Sequence, residues 1–576
     1  MTSPATVPSA PVGRGIDPCR LYLAAAGGVT LWLIATVLWH FTFASGRVLG
    51  HVLFLQQDFP ALLIGIIGLM LAAPFIRGGK GVPVPPPSAA FMLPLIALAA
   101  LWAWAGHDIV FHGYALSRDE EVAEFAAAYL RDGMAARPIP PEWIDYRRAI
   151  MPEFFSPYGA GQYWTAAYLP VNSLVRALFW RLGDPALAGA AFLAIGLVSL
   201  WRIALRLFPQ RPDAVWVTML LALTSAQLSV TAMTPYAMTG HFALNLLWLA
   251  LLLRGGVTGH VCAGMVALVA GGLHQWHFPP IMLLPFIGWL LLQRRWSAAA
   301  FHLAVVALLV VIWAKLWPAF LLHELGPPSD VRPTAGVGDK VGSLIDRLGD
   351  KWQPLFNLSR MLAWNPVLMV PLAFVAMACM KWRAALRGEE IVLPLAITCI
   401  IGCALALAQG YGWGYRYGHG YIGLFCLLAG FGWQKVSGSS AGRLTRPVLT
   451  ATVLALGAAG FLTMRAHDYV LPYARAHQAI HAAKADVVLV DPRGGLFATD
   501  LVRAQQGTPG KPMVMNLMML DQAEIDRLCG AYRVVLFDRN DFAPLGVPPS
   551  RMNRDRAGLR EHMDDIGCGL PPRQQP

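Results

Sequence analysis

Five consecutive residues, Ser117-Arg118-Asp119-Glu120-Glu121, set a dense patch of charge just beyond a long apolar segment. Two kinds of chemistry suit them. Ser117 is a good N-cap and acids in a first turn are favoured by the helix dipole, so Asp119 to Glu121 read as the opening of a helix that runs to about Arg131. A carboxylate held at a membrane surface is also a general base, and on that reading Asp119 is the working group. A second cluster, His274-Gln275-Trp276-His277, spaces two imidazoles so that both reach one divalent metal ion if the turn is helical. No carboxylate or cysteine stands near them in sequence, so two histidines alone are a weak metal signal and hydrogen bonding at an interface accounts for them better. Tyr236, His241 and His419 are further candidates for lining a site on the same face. The chain has no Walker A loop, no Gly-x-Ser-x-Gly elbow and no His-Glu-x-x-His motif.

What positions these groups is a membrane. Of 576 residues, 56% are hydrophobic and 14% charged, with a mean hydropathy of +0.51. Soluble globular chains carry roughly a quarter charged residues, so this is an integral membrane protein. The net charge of +12 comes from Lys and Arg in short clusters between apolar runs, the pattern of membrane orientation and not of nucleic-acid binding. A crossing helix needs ~20 apolar residues. Spans are therefore expected near 21–43, 60–76, 89–106, 185–207, 213–232, 241–254, 257–273, 278–293, 299–319, 363–380, 391–409, 418–433 and 446–464. That makes about thirteen transmembrane helices, of which 241–254 and 278–293 are short and extend into their flanks. The first is longer than the about 7–15 residues of a signal-peptide core and is read as retained.

With thirteen alternating spans, the basic clusters all fall on one side. They are Arg77 with Lys80, Arg202 to Arg211, Arg254, Arg294 with Arg295, Lys381 to Arg387, and Lys435 to Arg446. The positive-inside rule makes that side the cytoplasm. The opposite face, the periplasm of a bacterial inner membrane, then receives the loop 107–184, Thr234 to Gly240, the two-histidine turn, the loop 320–362, Gly410 to Gly418 and the tail from about 465. Nearly every unusual polar cluster shares that face. In the tail, Val487 to Val490, Met513 to Met515 and Arg533 to Phe537 are short apolar strands separated by helix-like stretches, which predicts a small parallel α/β unit. Cys529 and Cys568 both lie there, and an oxidising compartment would permit a disulfide between them.

Within 107–184, a Pro-rich turn, Pro138 to Pro141, precedes Tyr146-Arg147-Arg148 and then Ser156-Pro157-Tyr158-Gly159. The stretch Tyr163 to Trp180 is rich in Trp and Tyr and is expected to lie as an amphipathic helix on the outer leaflet, because a crossing there would put Arg202 to Arg211 outside. This order of parts resembles the GT-C membrane glycosyltransferases, among them the protein O-mannosyltransferases and the aminoarabinose transferase of lipid A. The resembling pieces are Asp119-Glu120, Ser156 to Gly159 with Tyr163-Trp164, the span ending Arg202 to Phe208, and Gly412-Trp413-Gly414-Tyr415-Arg416-Tyr417-Gly418. It covers roughly 89–464, with two extra helices in 1–88 and a periplasmic α/β domain in 465–576. The chain departs from the pattern at Met238-Thr239-Gly240-His241, where several relatives carry a second outward acid.

The resemblance implies a GT-C-like polytopic helical fold and transfer of a sugar from a polyprenyl-phosphate donor to a glycan, lipid or protein acceptor, with inversion. It assigns Asp119 as base with Glu120 in support. Arg416 is the first choice for the donor phosphate and Arg147 and Arg148 the second, since guanidinium binds phosphate bidentately. Tyr158, Tyr415 and Tyr417 join the site lining, although the last two equally suit an interfacial aromatic belt. No cofactor is required beyond a possible divalent metal ion. Rival readings are a lipid-linked sugar flippase or transporter, an O-antigen ligase or polymerase, and a scaffold for the tail. The near absence of charge inside the expected spans argues against transport. A topology reporter fused near Gly183 is expected on the periplasmic side; a cytoplasmic reporter there overturns the assignment.

Overall fold

The computed structural model describes residues 17–43, 48–72, 81–85, 87–150, 154–328, 352–407, 409–438, 442–503, 512–550 and 558–568. Arg77, Lys80 and most of the loop 320–362 lie outside them. The chain is predominantly helical. Among the described residues six helices are long and apolar enough to cross a membrane: Pro18–Thr42, Gly50–Met70, Ala89–Ile109, Leu187–Leu207, Trp296–Leu325 and Arg446–His481. Two bent pairs raise the number to eight, and Met238–Arg254, Gly256–Gly271, Phe278–Leu292 and Val392–Ala404 are shorter apolar helices. Each expected span overlaps a helix, but their lengths support fewer than thirteen full crossings. A helix of 15 residues is only about 22 Å long, short of a ~30 Å hydrocarbon core.

Local chemistry explains the bends. Phe356–Trp364 and Met369–Ala378 meet at 105° around Asn365-Pro366, where the proline lacks an N–H and disfavours a helical residue before it. Pro212–Leu223 and Ala226–Ala232 meet at 49°. There Thr224 hydrogen-bonds back to the Leu220 carbonyl and Ser225 starts the second helix by accepting from the Leu228 N–H. The breaks touch: Ser225 Oγ donates to Asn365 Oδ1 at 2.7 Å. The helix Met369–Ala378 lies hard against Ile422–Val436, since a Cβ on Gly432 would stand 1.9 Å from the Leu372 carbonyl oxygen.

The stretch Tyr163 to Trp180 is not one helix. Tyr163–Ala166 is the middle strand of an antiparallel sheet, between Arg137–Pro138 and Phe155–Tyr158. Aromatic and β-branched residues favour a strand there, and the glycines Gly159 and Gly161 supply the positive φ that its hairpin requires. The helix begins only at Val171, after Pro170, and ends at Arg181. It turns Asn172, Ser173 and Arg176 inward and leaves Leu174, Leu178 and Leu182 exposed. An outward apolar face is what a helix lying on a bilayer presents.

The helix Arg446–His481 runs for 36 residues, carrying the last expected span well past its expected end near 464. It leads into a parallel sheet with Val487–Val490 between Met513–Asn516 and Val534–Phe537. All four central residues are fully buried, as a strand covered on both faces must be. Val488 and Val490 pack in one cluster with Tyr473 and Ile480 of the long helix. Val487 and Leu489 pack in another with Phe125, Trp143 and Ile150 of the outer loop. The C-terminal sheet and the loop 107–184 thus share a core. Cys529 and Cys568 form a disulfide with Cα atoms 6.0 Å apart, across a sequence separation of 39. Cys529→Ser is expected to destabilise the C-terminal unit by about 2–4 kcal/mol, read from denaturant unfolding under non-reducing conditions.

Candidate functional site

Helix Arg118–Arg131 opens at Ser117, whose backbone is extended. Glu120 closes this end, its Oε2 accepting the Ser117 backbone N–H at 2.7 Å, while Ser117 Oγ hydrogen-bonds the Tyr236 hydroxyl at 2.8 Å. The Ser117 side chain in turn accepts from the Glu120 backbone N–H, so the capping is shared by Ser117 and Glu120 and leaves Asp119 out of it. Asp119, one residue earlier, is turned toward a different partner: its Oδ2 accepts from Arg416 Nη1 at 2.6 Å. Its Oδ1 accepts a hydrogen bond from the Tyr168 hydroxyl. Burial alone would raise the Asp119 carboxyl, but Arg416 and Tyr168 outweigh it and hold the group below its ordinary value, ionised at neutral pH. Burial and the charge of Asp119 push the Tyr168 phenol well above the usual tyrosine range, so it remains a donor. Burial pushes Glu120 the other way from its neighbour, up to about 7.

Arg416 is carried by residues 410–418, a buried segment outside the long helices whose backbone groups still need partners. Buried amide side chains supply them. Gln227 donates to the Trp413 carbonyl at 3.0 Å and accepts the Tyr415 N–H at 2.6 Å. Gln409 donates to the Gly414 carbonyl at 3.1 Å and accepts the Tyr417 N–H at 3.0 Å. Gly414 has φ +56°, and a Cβ on it would stand 1.8 Å from Gln227 Oε1, so the residue is constrained twice. The Arg416 guanidinium lies 5.2 Å above the Tyr236 ring and 5.9 Å from that of Tyr417.

Two cavities meet at Asp119 and Tyr236. One, of about 40 Å³, has a mixed wall that includes Arg416, Tyr168, His274 and Asn172 beside apolar residues such as Leu169, Met238 and Leu273. Arg416 Nε, His274 Nδ1 and Asn172 Oδ1 are buried without a protein partner, three orphan groups around one small space. Burial lowers His274 to about 4, with Asp119 opposing and Arg416 assisting, so its ring is neutral at pH 7. The other cavity, of about 370 Å³, is walled mainly by Leu53, Phe154, Tyr411, Trp413, Tyr469 and Phe497. Its polar residues pair among themselves: Arg118 with Asp500 at 2.8 Å, Ser117 with Tyr236. Asp500 and Phe497 come from the C-terminal unit, which is clamped further by Arg503 over the Tyr114 ring and onto the Ala115 carbonyl.

The remaining residues singled out in the sequence divide. Tyr417 lines the small cavity, and His241 lines a neighbouring space with Arg416 and Tyr417, both its ring nitrogens without partners. Tyr415 supports the loop by donating its hydroxyl to the Cys403 carbonyl at 2.6 Å. His419 is buried beside Phe242. Tyr158 sits in the outer hairpin opposite Tyr163. Arg147 and Arg148 line neither main cavity, because their short helix, Arg147–Ile150, packs on strand Met513–Asn516 instead. His274 faces Tyr168 at 4.2 Å between ring centroids, whereas His277 stacks on Phe278 at 4.8 Å. Among the described residues no group of three or more His, Cys, Asp or Glu is placed to hold a metal ion. Tyr168, Asn172 and Gln227 escaped sequence reading; a glutamine inside an apolar span was the one available signal.

No protein-family model and no curated protein matches the chain. Solved structures similar to it include those of ArnT from Cupriavidus metallidurans in the apo state and bound to undecaprenyl phosphate. Each is 14% identical and covers 72% of this chain and 84% of its own, with TM-scores of 0.46 and 0.47. The likeness is one of overall arrangement and carries no residue correspondence.

Glu120 supplies a pH signature. With a carboxyl raised from 4.5 to about 7 in the folded state, the stability it contributes is present below about pH 4.5 and is lost as pH rises toward 7. Glu120→Gln is expected to flatten thermal stability across that window, measured by unfolding temperature against pH.

Proposed function

We propose that this protein is a membrane glycosyltransferase that moves a sugar from a polyprenyl-phosphate carrier to a hydroxyl acceptor at the periplasmic face. The observation that carries the reading is the buried Asp119–Arg416 pair at the junction of two cavities. The reaction needs a base for the acceptor hydroxyl and a fixed cation for the departing phosphate. The pair contains one of each.

Arg416 borders the small cavity, with its Nε unpartnered, and so is the group that meets the donor phosphate; a guanidinium binds it bidentately and stays charged. On donor binding Arg416 exchanges its carboxylate partner for phosphate. Asp119 then loses the interaction that held its carboxyl low and becomes a stronger base. It takes the acceptor's proton as the acceptor oxygen bonds to the anomeric carbon. The bond from that carbon to the phosphate oxygen breaks on the opposite face, which gives inversion, and Arg416 stabilises the phosphate that leaves. Tyr168 steadies the other carboxylate oxygen throughout. Asn172 and neutral His274 offer partners to sugar hydroxyls.

Asp119→Asn is isosteric, keeps the Tyr168 and Arg416 neighbourhood filled and cannot accept the proton. With purified protein, a polyprenyl-phosphate sugar and a hydroxyl acceptor, kcat is expected to fall by about 10²–10⁴-fold while the protein remains folded. Wild-type turnover in that variant would remove Asp119 from the role.

A further inference from the structure

The two helical segments before residue 89 lie outside the region in which the chain resembles a glycosyltransferase core, yet one of them reaches the Arg416 loop. Candidate span Gly50–Met70 contains a π-helical turn, Phe54–Asp58, and Asp58 is 1% exposed. Its carboxylate accepts from Trp364 Nε1 at 2.8 Å and pairs with Arg360 Nε at 3.2 Å. Arg360 is fully buried, its guanidinium set between the rings of Phe356 and Trp364 at 5.2 and 5.6 Å. Its Nη1 donates to the Gly412 carbonyl at 2.5 Å. Gly412 in turn touches Arg416: a Cβ there would stand 2.5 Å from Arg416 Cδ and 2.6 Å from Nε. An unbroken series of contacts therefore runs from Asp58 to the guanidinium beside Asp119.

Helix packing alone does not account for it. Desolvating two charges is costly, and apolar side chains of equal volume commonly pack such a site as well or better. Ionisable groups within a membrane span are rare and mark function, and π-turns concentrate at functional sites. Gln227 and Gln409 hold four other backbone groups of the loop, those of Trp413, Gly414, Tyr415 and Tyr417; Arg360 holds the turn against which the Arg416 side chain lies. Leu53, from the same N-terminal segment, walls the large cavity.

We infer that Asp58 and Arg360 are positioning residues for the phosphate site, Arg360 setting Gly412 so that the Arg416 guanidinium is presented at Asp119. The inference rests on the reading that Arg416 binds phosphate, and the experiment separates the two. Undecaprenyl phosphate binding is measured on full-length protein in lipid nanodiscs. The variants are the double change Asp58→Asn with Arg360→Met, which strands no buried charge, and Asp58→Asn alone, each made with Arg416 intact and with Arg416→Ala. With Arg416 present, the double change is expected to weaken binding at least about 10-fold, and Asp58→Asn to weaken it in the same direction. With Arg416→Ala, either change is expected to shift binding by less than about 2-fold, because the effect passes through Arg416. Equal losses in both backgrounds, accompanied by a lowered unfolding temperature, denote a merely structural role and overturn the inference. Unchanged binding with Arg416 intact overturns it as well. If Arg416→Ala binds as wild type does, the phosphate reading falls and takes this one with it; if only Arg416→Ala weakens binding, the inference alone falls.

Discussion

The pairing of Asp119 with Arg416 joins two parts of the chain 297 residues apart and leaves both charges largely out of water. Removing either partner of such a pair strands the other, a loss typically of about 3–5 kcal/mol. The surroundings are arranged around that constraint. Glu120 and Ser117 close the helix end, so Asp119 is released from capping. Gln227 and Gln409 give an irregular buried loop the hydrogen bonds that a helix would have provided internally. Tyr168 occupies the second carboxylate oxygen.

A carboxylate so well paired is a weak base, and a guanidinium so well paired is a poor phosphate receptor. On the proposed reading each is quenched by the other until a donor arrives. Phosphate can displace the carboxylate because it offers the guanidinium an equivalent anion, and the displaced carboxylate then regains basicity next to the acceptor. The small cavity, with about 40 Å³ of space, is on that reading a site closed by the pair itself. The cavity on the other side of Asp119 stays roomy because its polar groups are mutually satisfied and its walls are large aromatic rings.

Residue type alone made Asp119 and Arg416 conspicuous, as charges beside apolar runs on the face that the basic loops leave free. Four-residue apolar runs likewise disclosed the parallel strands of the C-terminal unit, and cysteine count with compartment pointed to the one disulfide. What the chain order concealed was three-dimensional. Glu120 and Asp119 look interchangeable in sequence, yet one rotation along the helix makes the first a cap and the second a partner for Arg416. Arg147 and Arg148 carry the right group for phosphate, but their helix is drawn away by packing on a strand some 370 residues later. Tyr163 to Ala166 was hidden inside an apolar stretch whose composition suited a helix; pairing with residues on both sides made it a strand. Asp58 stood at the edge of an expected span and gave no sign of its partner at Arg360.

The helix Arg446–His481 adds a mechanical consequence. At ~1.5 Å per residue it is a rod of roughly 54 Å, rooted in the bilayer and carrying Tyr469 of the large cavity wall and Tyr473, which donates to the Leu496 carbonyl at 3.0 Å just before Phe497. No linker separates the lipid-facing end from the cavity-facing end. Pro472 lies inside this helix without ending it, so the part rooted in the bilayer and the part that walls the chamber beside Asp119 are a single element. The chamber beside Asp119 and the bilayer thereby share one continuous structural element.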